Sequence, residues 1–200
     1  MSVDLQEQLI SFRAGKTGEN VTIPMHSELH AYLPSGSHPV IANNTIVQNN
    51  IGIREDGRFS ANPLYANNIL IGNSVGFQVD FPAGTQLTWT HNLVFGNTTN
   101  YSGIANQTGL NGNISKDPMF LPTRSLGDFE LQAGSPAIDA GTLSVPGLPP
   151  TDFVGNPRVV DDDCDGSPLP DIGAYEFQPN CIQPNSRVAD RLDLVAPPMK

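Results

Sequence analysis

Apolar residues along this chain come in short runs that recur with a fixed period. The segments "ANNTIVQN" from Ala42, "ANNILIGN" from Ala66 and "THNLVFGN" from Thr90 each begin 24 residues after the last, without a gap. Each copy holds a β-branched or aromatic triplet (TIV, ILI, LVF) between two asparagine columns, Asn44, Asn68 and Asn92 on one side and Asn49, Asn73 and Asn97 on the other. Ile41, Tyr65 and Trp89 form a third column, and Ile53, Phe77 and Tyr101 a fourth, so each repeat contains at least two strand segments. A fainter earlier copy places Asn20 in the asparagine column, Val21 and Ile23 in the strand, and Leu29 in the second apolar column.

A fixed period in the range of roughly 20 to 50 residues indicates stacked structural repeats. Helical repeats need apolar residues at helical spacing over about 10 or more positions, whereas these runs are short, β-branched and closed by Asn or Gly. A leucine-rich repeat needs its own L-x-x-L-x-L frame, which "NNTIVQNN" lacks. The pattern therefore predicts an all-β parallel β-helix with one coil per repeat. Equivalent side chains in stacked coils lie about 4.8 Å apart, close enough for a buried Asn to pass an amide hydrogen bond to the Asn above and below. Both asparagine columns are expected to be structural ladders. Tyr65, Trp89 and Tyr101 are expected in core or surface columns more than as platforms for sugar rings.

Past Tyr101 the period fails. "DPMF" (Asp117 to Phe120), "FELQAGSPAIDAG" (Phe129 to Gly141), "GNPR" (Gly155 to Arg158) and "DIGAYE" (Asp171 to Glu176) follow in that order. This set resembles the C-terminal part of bacterial right-handed parallel β-helix proteins of the choice-of-anchor Q type, within the pectate-lyase-like superfamily. The resemblance implies a right-handed β-helix of about four 24-residue coils with an irregular C-terminal cap. It also implies a secreted or cell-surface location, although the chain carries neither a signal peptide nor a recognisable anchor, and it suggests the C-terminal portion of something longer. An open last coil exposes unpaired backbone and apolar cross-section. Ile138, Ile172, Tyr175 and Phe177 are expected to cover it, which leaves Tyr175 and Glu176 with a capping role more than a catalytic one.

The chain divides accordingly into an N-terminal segment at 1–17, β-helix coils at 18–113, the capping region at 114–181 and a tail at 182–200. Leu5, Leu9 and Phe12 share one helical face and predict a short helix in the first segment.

Charge narrows the partners. Ten basic against twenty acidic residues give a net charge of −10, which would repel phosphate backbones and anionic headgroups. Nucleic acid is thereby disfavoured, and no apolar run approaches the roughly 20 residues that insert in a bilayer. Cys164 and Cys181 are read either as one disulfide or as two free thiols.

Two clusters carry candidate chemistry. In "DDDCDG", Asp161, Asp163 and Asp165 alternate ahead of Gly166, the opening of an EF-hand-type loop in which carboxylates converge on a hard cation. The closing Glu is absent, its place taken by Ile172 beside Asp171, so Asp161, Asp163, Asp165 and Asp171 form a candidate set for a structural calcium ion. In the coils, Asp56 and Asp80 are 24 residues apart, with Glu55, Arg54, Arg58 and His30 in or beside the same columns. Such a patch could supply an acid and a base, or hold calcium, for a polysaccharide lyase or glycoside hydrolase. The "NTD", "DD", "GHG" and "RIK" set of polygalacturonase-like hydrolases is missing, and the patch is read as an exposed charged turn of the solenoid more than as a catalytic site. The expected function is a non-catalytic structural or glycan-contacting module. The alternative is a polysaccharide lyase or glycoside hydrolase acting on an acidic polysaccharide.

Overall fold

The structure is a computed structural model that describes residues 2–4, 9–13, 20–24, 40–55, 62–80, 86–122, 129–161 and 165–178. Among them the regular elements are all strands, and none is a helix long and apolar enough to cross a membrane. Each repeat supplies three strands: β4 (Val40–Ala42), β5 (Thr45–Val47) and β6 (Ile51–Glu55), then β7 (Leu64–Ala66), β8 (Ile69–Ile71) and β9 (Val75–Val79), then β10 (Thr88–Thr90), β11 (Leu93–Phe95) and β12 (Thr99–Ser102).

Residues 24 apart pair in parallel register, as Ile41↔Tyr65↔Trp89, Ile46↔Leu70↔Val94 and Ile53↔Phe77↔Tyr101 show. Three parallel sheets result, β4-β7-β10, β5-β8-β11 and β6-β9-β12, in the arrangement of a parallel β-helix. The turns between strands repeat as faithfully as the strands. The first corner holds Asn43, Asn67 and His91 at φ 54°, 55° and 48°, and the second holds Gln48, Gly72 and Gly96 at 57°, 68° and 63°. The left-handed region is cheap for Asn and Gly and uncommon for bulkier residues, so these columns fix where each coil bends.

Strand alternation sends one face of every sheet inward. Ile46, Ile53, Tyr65, Leu70, Phe77, Val79, Trp89 and Val94 make one buried cluster. Within it Phe77 stacks on Trp89 at 4.1 Å between ring centroids, and Tyr65 meets Phe77 edge-on at 5.1 Å. The aromatic columns are therefore core, as the sequence pattern suggests. Neighbouring coils stack so closely that a Cβ on Gly76 would lie 2.8 Å from the Asn100 carbonyl oxygen, and one on Gly52 would lie 2.6 Å from that of Gly76.

The asparagines form two directed ladders. Asn44 Nδ2 donates to Asn68 Oδ1 and Asn68 Nδ2 to Asn92 Oδ1, each at 2.9 Å. Backbone amides add parallel rungs, from Asn44 N to Asn68 Oδ1 and from Asn68 N to Asn92 Oδ1. In the second ladder Asn49 N bonds Asn73 Oδ1, and Asn73 bonds Asn97 Oδ1 through both its N and its Nδ2. The far ends close on residues outside the 24-residue register. Asn92 Nδ2 donates to Asn113 Oδ1 at 3.3 Å, and Asn97 Nδ2 donates to Asn100 Oδ1 at 3.0 Å. Asn100 occupies the column of Gly52 and Gly76, where a stacked coil would leave no room for a side chain.

Before the repeats the expectations need correction. Leu9 and Phe12, expected on a short helix, lie instead in β2 (Leu9–Arg13), which pairs antiparallel with β1 (Ser2–Asp4), while Leu5 lies outside the described residues. Of the fainter copy, Asn20, Val21 and Ile23 lie in β3 (Asn20–Pro24), an antiparallel partner of β2, and Leu29 lies outside the described residues. Sheet pairing across the segment satisfies more backbone groups than a helical turn on so few apolar positions. It is β1 that extends the stack, pairing parallel to β6 through Val3↔Ile53.

After β12 the chain runs through turns and isolated bridges, and this region packs sideways against the coils. Ile172, Leu131 and Ala137 bury against Ile69 and Leu93, the outward-facing residues of β8 and β11, with Ile138 and Phe177 packed around them. Gly173 N bonds the Asn67 carbonyl, Ala174 N bonds Thr45 Oγ1, and Thr142 N bonds Asn67 Oδ1. Contacts thus reach all three repeats along one flank.

Candidate functional site

The patch expected around Asp80 divides across the two faces of β6. Arg54 points outward, where Nε and Nη2 both reach Asp80 Oδ2 at 2.7 and 2.6 Å, and Gln78 Nε2 donates to Asp80 Oδ1 at 2.6 Å. Burial works to raise the Asp80 carboxyl, but the hydrogen bonds from Gln78 and Arg54 and the guanidinium charge outweigh it and hold it below the usual carboxylate range. Glu55, one residue on, points inward with 1% of its surface exposed and accepts a 2.5 Å hydrogen bond from Tyr65 Oη. Arg54 and Asp80 therefore meet, and Glu55 does not join them. Asp56, Arg58 and His30 lie outside the described residues.

That split was available from strand alternation. Ile53 belongs to an inward apolar column, so Glu55, two residues later, shares its face.

The acidic loop is described only at its ends. Asp161 Oδ2 accepts from Gly166 N at 3.0 Å, and Asp165 Oδ1 accepts from Ser167 N at 2.8 Å, the pattern of a tight turn closed by side chains. Asp163 lies outside the described residues, as do Cys164 and Cys181. Asp171 has a different task. Its side chain is fully buried, Oδ1 accepts from Asp139 N at 2.8 Å and Oδ2 from Phe177 N at 2.7 Å. Each Asp171 oxygen thus holds one backbone amide. Among the described residues no three His, Cys, Asp or Glu side chains gather into a metal-sized group.

A buried polar network in the C-terminal region ties its sequence motifs together. Arg158, from "GNPR", is 3% exposed and donates through Nη1 to Glu176 Oε1 at 2.8 Å and to the Gly173 carbonyl at 3.1 Å. Its Nη2 reaches the Ala174 carbonyl at 3.2 Å, and Glu176 Oε2 accepts from Asp171 N at 3.0 Å. Asp152 organises the facing turn: Oδ1 accepts from Val154 N and Asn156 N, and Oδ2 from Glu176 N and Asn156 Nδ2. Burial pushes the Asp152 carboxyl up, yet the bonds from Glu176, Asn156 and Val154 together hold it below the usual range.

Glu176 is thus one half of a buried ion pair, and Tyr175 is buried with its ring against Phe153 at 5.6 Å. Nothing in the sequence reading singled out Asp152, whose only signal was its place three residues before "GNPR". His91 takes its place in the left-handed column of Asn43 and Asn67, and its burial lowers the imidazole pKa.

No protein-family model matches the chain, and no curated protein matches it.

Proposed function

We propose that the chain is a non-catalytic module of a secreted or cell-surface protein, structural or glycan-contacting. In this reading it is a right-handed parallel β-helix of the choice-of-anchor Q type, in which β1 and the turn at Asn113 add partial coils to the three repeats, about four in all. The segment from Ile114 onward is its irregular cap, applied along the flank of the coils. One observation carries the reading: four of the described carboxylates that drew attention as chemistry are engaged by internal bonds. Asp80 is held by Arg54 and Gln78, Glu55 by Tyr65, Asp171 by two backbone amides and Glu176 by Arg158. Groups so engaged build a rigid body and leave little for proton transfer to a substrate.

A second reading, a lyase or hydrolase acting on an acidic polysaccharide, draws support from the outward Arg54–Asp80 pair beside the position of Asp56. Incubation with pectate, alginate, chondroitin and neutral glucans, with and without calcium, separates the two. The module reading expects neither unsaturated products nor new reducing ends from any polymer. Product formation that disappears in Asp80→Asn would replace it with the enzyme reading.

A further inference from the structure

Glu55 brings a carboxylate into the apolar core of the coils, where it is 1% exposed and pairs in register with Val79 of the next repeat. Tyr65 Oη donates to its Oε2 at 2.5 Å, and Tyr65 is itself 1% exposed. From Tyr65 a run of rings continues in contact. Its centroid lies 5.1 Å from that of Phe77 and 5.5 Å from that of Trp89, Phe77 stacks on Trp89 at 4.1 Å, and Trp89 meets Tyr101 edge-on at 6.2 Å. Trp89 is the single tryptophan of the chain, and Tyr101 is half-buried. The run thus leads from a partly accessible ring to a buried one that is bonded to a carboxylate.

A phenol or indole inside a low-dielectric core gives up an electron readily only when its proton has a place to go, because the cation left behind is costly to bury. The three oxidisable rings differ in that respect. Trp89 Nε1 and Tyr101 Oη are buried and meet no hydrogen-bond partner among the described residues. Tyr65 Oη has its acceptor already in place. We propose that Tyr65 is a redox-active tyrosine, on which an oxidising equivalent entering the core from a one-electron radical oxidant comes to rest, with Glu55 as the proton acceptor. The oxidant gains one electron from Trp89, and Trp89 recovers it from Tyr65. At Tyr65 the Oη–H bond breaks and the proton passes to Glu55 Oε2, which leaves a neutral phenoxyl radical beside a protonated carboxyl group. This activity is separate from any contact with a glycan and does not rest on the module reading.

The test is pulse radiolysis of the full chain with azidyl radicals, which take one electron from tryptophan in preference to other side chains. The indolyl absorption is expected to decay as a phenoxyl absorption grows, at a rate independent of protein concentration and slower in heavy water. Tyr65→Phe is expected to abolish that growth, and Tyr101→Phe to leave it in place. Glu55→Gln can still accept the hydrogen bond through its amide oxygen but is a poor proton acceptor, so it is expected to slow the growth about a hundredfold, the lower end of what a positioned base contributes. Electron–nuclear double resonance on the frozen, unaltered protein is expected to find an exchangeable proton hydrogen-bonded to the phenoxyl oxygen, a readout that no folding defect of a variant can imitate. Absence of phenoxyl growth in the wild type, growth that persists in Tyr65→Phe, an unchanged rate in Glu55→Gln or in heavy water, or a phenoxyl without the coupled proton would each overturn the proposal. Any of the last three would reduce the Tyr65–Glu55 bond to a structural contact.

Discussion

Arg158 Nη1 lies 2.8 Å from Glu176 Oε1, with the two side chains 3% and 0% exposed. The pair joins "GNPR" to "DIGAYE", and around it the Gly173 and Ala174 carbonyls and the Asp171 amide fill further hydrogen-bonding positions. Removing one partner of such a pair leaves a buried charge without its counterpart. Arg158→Met is expected to cost about 3–5 kcal/mol in urea denaturation, and Arg158→Met/Glu176→Leu clearly less than the sum of the two single changes. Additive losses would show that the pair does not act as a unit.

Asp152 gives this region its acid sensitivity. Its folded carboxyl titrates below its unfolded value, so its contribution is complete above about pH 4, the unfolded carboxylate range, and is lost as the pH falls through the folded pKa. Stability measured by denaturant titration between pH 7 and pH 2 should therefore fall more steeply in the wild type than in Asp152→Asn. The variant should also be less stable at pH 7, because its amide turns a donor toward backbone N–H groups. An unchanged slope would remove Asp152 from the account.

Asn68 sits midway in the first ladder. Its Oδ1 receives the backbone and carboxamide N–H groups of Asn44, while its Nδ2 serves the Ile41 carbonyl and Asn92 Oδ1. Asn68→Ala strands several buried groups at once and is expected to cost about 3 kcal/mol or more in thermal or chemical unfolding. A loss below about 1 kcal/mol would mean that water replaces the carboxamide.

The close approach of neighbouring coils makes a contrasting prediction. Gly76→Ala would force a methyl to within 2.8 Å of the Asn100 carbonyl oxygen and 2.9 Å of Asn97 Nδ2, prying two repeats apart. A loss of about 1–3 kcal/mol is expected, the usual range for overpacking. Asn100→Ala, in the same column but at the end of the stack, should lose only about 1 kcal/mol, the worth of its bond with Asn97. Equal effects at the two positions would contradict the stacking geometry.

What the sequence disclosed follows from what repeats. Asn44, Asn68 and Asn92 are equivalent because their backbones are, and a 24-residue period exposes such equivalence directly. The ladder ends were hidden because they break the period: Asn113 follows Asn92 by 21 residues, and Asn100 replaces a glycine of its column. The flank is non-local in a stronger sense. Thr45 meets Ala174 across 129 positions, and Asn67 meets Thr142 across 75, contacts that leave no periodic trace in a single chain. At the N-terminus the apolar spacing of Leu5, Leu9 and Phe12 suits a helix, but pairing with β1 and β3 places Leu9 and Phe12 in a strand. The Glu55 side chain was misplaced for a simpler reason: a charge beside Arg54 and Asp56 reads as surface until strand parity is applied.

The common direction of the asparagine carboxamides also gives the stack an electrical axis. Two rows of amide dipoles lie head to tail through the folded body, each bond polarising the next and strengthening it. The first row starts at Asn44 and the second at Asn73, because Asn49 Nδ2 turns back to the Val47 carbonyl, and in both rows the carboxamide dipoles set their negative ends toward the first repeat.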